Sequence, residues 1–217
     1  MTIENEQEGT VNDARDKTQA ETRRTAGTSS APFSELVSLF LANPLTGQRK
    51  ILERLSETNQ WIGGGGLAFL NVLGLYLLII GLIRGIFGAW ARLTAGNYFG
   101  FFVVSLIPVG ALFGGFLLLG RMGGGGRTDT RQSLFKAGFS LFPTTAALFL
   151  GWLWLAAVGI VQVAPLILAF GLSFSLLLMF GALRELPALN EKTAFFFTPL
   201  LVSIAIILAG VMAAIVL

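Results

Sequence analysis

The sequence predicts an all-α integral membrane protein, a five-span transmembrane helical bundle with N-terminal amphipathic helices. Three observations lead there. Of 217 residues, 54% are hydrophobic and 12% are charged, about half the charge of a soluble domain, where about 25% is usual. Nine of the twelve acidic residues precede Trp61, which leaves Asp129, Glu185 and Glu191 for everything after it; a soluble globule needs charge over its whole surface. Five apolar runs then follow, each near the roughly 20 residues that cross about 30 Å of hydrocarbon.

Residues 1–31 are polar, of mixed charge and without an aromatic residue. They bury too little apolar surface to offset their ordering entropy and are expected to form a disordered cytoplasmic tail. No apolar h-region follows closely, so a secretory signal peptide is not expected. Residues 32–62 read as amphipathic membrane-surface helices. Phe33, Leu36, Val37, Phe40 and Leu41 recur at helical spacing until Pro44. Asn43-Pro44 then caps and starts a second helix, with Ile51, Leu52 and Leu55 opposed to Arg49, Lys50, Glu53 and Arg54. Such helices lie on the bilayer or pack as a small hairpin on the bundle.

Residues 63–217 are the expected transmembrane domain, with runs at Leu67–Trp90, Tyr98–Leu119, Gly138–Val161, Val163–Leu183 and Phe195–Leu217. The uncharged stretch from Ala137 to Leu183 would reach about 70 Å as one helix, twice the bilayer thickness. It must fold back, and Gly159, Gln162 and Pro165 make "VGIVQVAPL" the hairpin tip. Two glycine runs, Gly63–Gly66 and Gly123–Gly126, stand at equivalent span boundaries and read as flexible connections. A phosphate-binding P-loop is excluded: "GGGGRTDT" has arginine where the motif needs lysine, and no strand precedes it.

Cation placement sets the orientation. Thirteen of the fifteen Lys and Arg residues fall on one side if the N-terminus is cytoplasmic, and only Arg84 and Arg92 on the other. This predicts a multi-pass protein, in the plasma or inner membrane if prokaryotic, with the C-terminus on the side opposite the N-terminus. The cations flank apolar segments, so they suit anionic lipid rather than nucleic acid. Histidine and cysteine are absent, which removes disulfides, metal sites built on those residues and the usual general base. No cofactor, metal ligand or catalytic residue is expected, and the chain reads as no enzyme.

Three sets of residues are site candidates. Arg49, Lys50, Arg54, Arg131, Lys136 and Arg184 form an expected cytoplasmic patch for anionic lipid or for a membrane or cytoplasmic protein partner, at about 1 kcal/mol per cation towards lipid. Asn71, Thr144 and Thr145 lie within spans and serve either interhelical hydrogen bonds or a polar cavity. Arg84, near a span end, either snorkels or contacts an ion or lipid. Small residues four apart (Gly81/Gly85, Gly110/Gly114, Gly171/Ser175 and Ala205/Ala209) favour close helix packing within the bundle or, as the alternative, a homo-oligomer seam. Trp61 and Trp90 are expected at interfaces, and Trp152 and Trp154 deeper between helices.

The stretch "RQSLFKAGFSLFP", with Gly138, Phe139, Ser140 and Pro143, resembles the G-[YF]-S-x-x-P signature of the Yip family (Ypt-interacting proteins), whose shared Yip domain has five spans. "GALRELPALNEKTA" resembles the family's LR-E-x-x-x-L turn before its last helix, and "LANPLTGQRKILERL" its N-P…L pre-membrane element. The D-L-Y-G-P element of eukaryotic members is absent, and "SETNQWIGGGG" stands there, so the resemblance points to the prokaryotic-type branch. It implies a non-enzymatic scaffold or adaptor in membrane organisation or trafficking. The alternative is a small transporter or channel component for a neutral solute.

Overall fold

A computed structural model of the chain describes residues 44–88, 92–122, 130–186 and 189–216, together with Ser38 and Ala42. The predicted tail (1–31), the second glycine run, Trp90 and Asp129 lie outside these residues. The described regular structure is entirely helical: α1 Pro44–Arg54, α2 Glu57–Phe87, α3 Ala95–Met122, α4 Thr130–Ser140, α5 Phe142–Ala157, α6 Val163–Arg184 and α7 Glu191–Val216. Four of them, α2, α3, α6 and α7, are long and apolar enough to cross a membrane. A fifth crossing results if α4 and α5 act as one bent span.

The chain divides into two units, residues 1–59 and 60–217. In the first, α1 begins at Pro44 as expected, because proline lacks the N–H that a first helical residue leaves unpaired. Ile51 and Leu52 are buried, whereas Arg49, Lys50, Glu53 and Arg54 are exposed, so the amphipathic pattern holds. Arg49 donates to Glu53 at 2.9 Å across one turn. Ser56 accepts the Asn59 N–H at 3.3 Å and caps the start of α2.

The first glycine run corrects the sequence reading. Gly63–Gly66 is no flexible connector but lies inside the 31-residue helix α2. Glycine disfavours helix in water largely through backbone freedom and exposure. In hydrocarbon every backbone group must be bonded within its own segment, and the helix is the cheapest way to do so. The helix then ends where expected of a glycine, at Gly88 with φ +57°.

In the second unit α5 and α6 form the predicted hairpin. Gly159, at φ +73°, turns the chain, Val158 and Gly159 donate back to the carbonyls of Trp154 and Leu155, and α6 restarts at Val163. α3 packs on α7 and on α4, and α6 packs on α4, α5 and α7. One core of Phe113, Phe116, Met179, Leu183 and Ala194 lies towards the α4 end, and a second of Leu78, Leu148, Leu155 and Ala164 lies between α2, α5 and α6.

The sequence predicts a short amphipathic helix over 128–143 leading into a third span over 138–161; the structure ends the short helix at Ser140 and starts the next at Phe142. Helix α4 and helix α5 meet at Leu141 with a bend of 40°. Pro143 brings no N–H to the ladder, and the Leu141 N–H bonds only three residues back, to Gly138 at 3.1 Å. Ser140 turns its hydroxyl onto the Lys136 carbonyl at 2.7 Å, a back-bond that itself favours bending.

Candidate functional site

The residues singled out by sequence meet in three places. At the first, α4 crosses α2. A Cβ on Gly138 would stand 2.9 Å from the Gly64 carbonyl oxygen, and a Cβ on Gly64 would stand 2.9 Å from the Leu134 carbonyl and the Phe135 nitrogen. Gly120 of α3 faces Ser133 Oγ at the same 2.9 Å. Glycine is therefore required on both sides of the crossing: the two backbones touch. Phe139 lies between Phe135 and Phe142, with ring centroids 5.6 and 6.4 Å away, and so carries one aromatic stack across the break. The four motif residues thus do local structural work: close approach, stacking, back-bonding and the break.

Beside this crossing lies Lys136, one of the six cations of the expected patch. It is buried and paired rather than open at a surface. It is 8% exposed, and its Nζ is 2.8 Å from Glu185 Oε2 at the end of α6. An ammonium taken out of water needs an opposite charge, and Glu185 supplies it from 49 residues away. Arg184 is exposed and stands 3.6 Å from Glu191 at the start of α7. Arg131 is half-buried on α4. Arg49, Lys50 and Arg54 remain exposed on α1, so they keep the character the patch requires.

The third place is the bundle interior. Asn71 Nδ2 donates to Thr145 Oγ1 at 2.9 Å, which donates in turn to the Leu141 carbonyl at 3.0 Å. Thr144 gives both its backbone N–H (3.0 Å) and its hydroxyl (2.8 Å) to Ser175 Oγ. Ser175 is the residue that the candidate set lacked. Its signal was present in the Gly171/Ser175 pair: Gly171 meets Ala147 and the Pro143 carbonyl so closely that Ser175, one turn on, reaches Thr144. These groups border a partly open cleft of about 230 Å³, with Asn71, Thr144 and Ser175 on its wall and only apolar residues elsewhere along it. Thr145 is not on that wall.

Two smaller readings also resolve. Arg84 is exposed at the end of α2 and donates to the Tyr98 hydroxyl at 3.0 Å. Trp152 packs against the Leu78 core as expected. Trp154 does not sit deep: its indole N–H reaches the Ile160 carbonyl at the hairpin tip, 3.2 Å away. Trp61 is exposed. The chain matches no protein-family model, no curated protein and no solved structure.

Proposed function

We propose that this chain is a non-enzymatic, Yip-type membrane scaffold or adaptor, with a cytoplasmic N-terminus and an outward C-terminus. The observation that carries the reading is the interior polar cluster that ties α2, α5 and α6 together. Asn71 donates to Thr145 and Thr144 to Ser175, and the rest of the cleft wall is apolar. A carrier of polar solutes needs groups that are free to exchange water for cargo, and this cluster offers the hydrogen-bond geometry of packing. The close crossing at Gly138 supports the same reading, because it gives the family-like motif a structural purpose. The exposed cations of α1 are the surface for anionic lipid or a protein partner.

The test is purification of the full chain in mild detergent, with identification of co-purifying proteins. A partner retained in near-equal amount, and lost from the combined Arg49→Glu, Lys50→Glu, Arg54→Glu chain, is expected. Absence of any retained partner, together with solute flux in proteoliposomes, would establish the neutral-solute carrier instead. A reporter fused after Leu217 is expected outside the cytoplasm, and a cytoplasmic signal would refute the orientation.

A further inference from the structure

The interior cleft has a shape as well as a volume. Its wall on α6 runs from Leu168 to Met179 and on α7 from Val202 to Ala209, which at 1.5 Å per residue makes a slot about 10–16 Å long, parallel to the helices. One leaflet of hydrocarbon is about 15 Å deep. Helices α6 and α7 touch near their shared turn, where the Phe180 and Phe195 rings are 6.3 Å apart and Arg184 meets Glu191. Away from that turn, Leu172 and Ile206 both line the slot and are 36% and 60% exposed. They form its lips, on the outer faces of two helices long and apolar enough to span.

We propose that this slot holds a segment of one acyl chain of a bilayer phospholipid. An apolar cavity of about 150 Å³ already stays dry and takes up a benzene ring, and this one is larger, at about 230 Å³. Water would gain few partners, since Asn71, Thr144 and Ser175 are engaged with neighbouring side chains. The phase at the lips is hydrocarbon, and phospholipid is what supplies a flexible, unbranched apolar chain of leaflet length there. The α6 and α7 walls give that chain an enclosure that the outer helix faces do not.

The test places the full chain in phosphatidylcholine nanodiscs containing a phosphatidylcholine with a diazirine in mid-acyl position. After irradiation, adducts are mapped by mass spectrometry. Every spanning face will be labelled, including exposed Phe170, Leu177 and Ile207. The proposal expects additional adducts on buried wall residues Val109, Met179 or Ala205. Ala209→Phe, which fills the slot, should lower wall labelling about tenfold against that background, equivalent to about 1.4 kcal/mol of lost affinity. Ile207→Phe, on the exposed flank, should leave the ratio unchanged. Labelling confined to exposed residues overturns the proposal, as does wall labelling unaffected by Ala209→Phe in a variant of native elution and helicity. If that variant fails to fold, Leu168→Phe fills the same wall, and the wild-type adduct map is decisive alone. None of this rests on the scaffold reading: a chain without a protein partner would still hold the lipid.

Discussion

The seam between α2 and α4 and the cleft between α6 and α7 are built from similar residues, yet one is shut and the other open. At the seam, Gly64 and Gly138 occupy the crossing point on both helices, and backbone meets backbone. In the cleft, Ala205 and Ala209 share the slot with Leu168 and Leu172, and large side chains hold the walls apart. Lipid gives no hydrophobic drive for helices to associate, so shape and interhelical hydrogen bonds decide where they close. Spacing alone does not. Gly110 and Gly114 have the same four-residue interval, and nothing lies within 4 Å of the Cβ that either one lacks.

That contrast can be broken most sharply at the seam. Gly64→Ala is expected to lower stability by about 1–3 kcal/mol, because its methyl meets backbone that cannot rotate away. Gly65→Ala, with nothing within 4 Å, should instead gain about 0.5–1 kcal/mol from reduced backbone freedom. Denaturation in mixed micelles would measure both, and equal effects would remove the seam's special status. Next in size is Lys136→Met. It strands the Glu185 carboxylate, whose side chain is 32% exposed and so screened in part. A loss of about 1–2 kcal/mol is expected, with Glu185→Gln in the same background restoring part of it. A Lys136→Met chain as stable as the parent would mean that the ion pair is incidental. The smallest effect belongs to the cleft. Ala209→Leu adds volume where there is room and should stay within about 0.5 kcal/mol; a larger loss would show the α6–α7 region to be as tight as the seam.

What sequence could foresee followed from local physics. Apolar length announced the long helices α2, α3, α6 and α7. The run from Ala137 to Leu183 was too long to remain straight, and Gly159 and its neighbours marked the turn. Pro44 announced the start of α1, and the alternation of Ile51 and Leu52 with charged residues announced its two faces. The errors share a cause: each residue was judged without its distant neighbour. Gly63–Gly66 looked flexible because Leu134 and Phe135, against which Gly64 packs, lie some 70 residues away. Lys136 reads as one more surface cation because Glu185, which pairs with it, is 49 residues distant. A short helix leading into the third span is legible in the amphipathic stretch before Pro143; the break between Ser140 and Phe142 is not, because it depends on where the proline interrupts the hydrogen-bond ladder. Of the interior cluster, Asn71, Thr144 and Thr145 stand out in the sequence as polar residues within apolar runs, and the structure bonds Asn71 to Thr145 and leaves Thr145 off the cleft wall. Only the helix register of α6 against α5 brings Ser175 to them.

The shortness of α5 has a consequence for how it could cross. Its 16 residues reach about 24 Å, some 6 Å less than the usual hydrocarbon thickness, so a full crossing there needs α4 as well. The bend at Leu141 would then fall inside the crossing, and a change that straightened it would alter the thickness the pair can match.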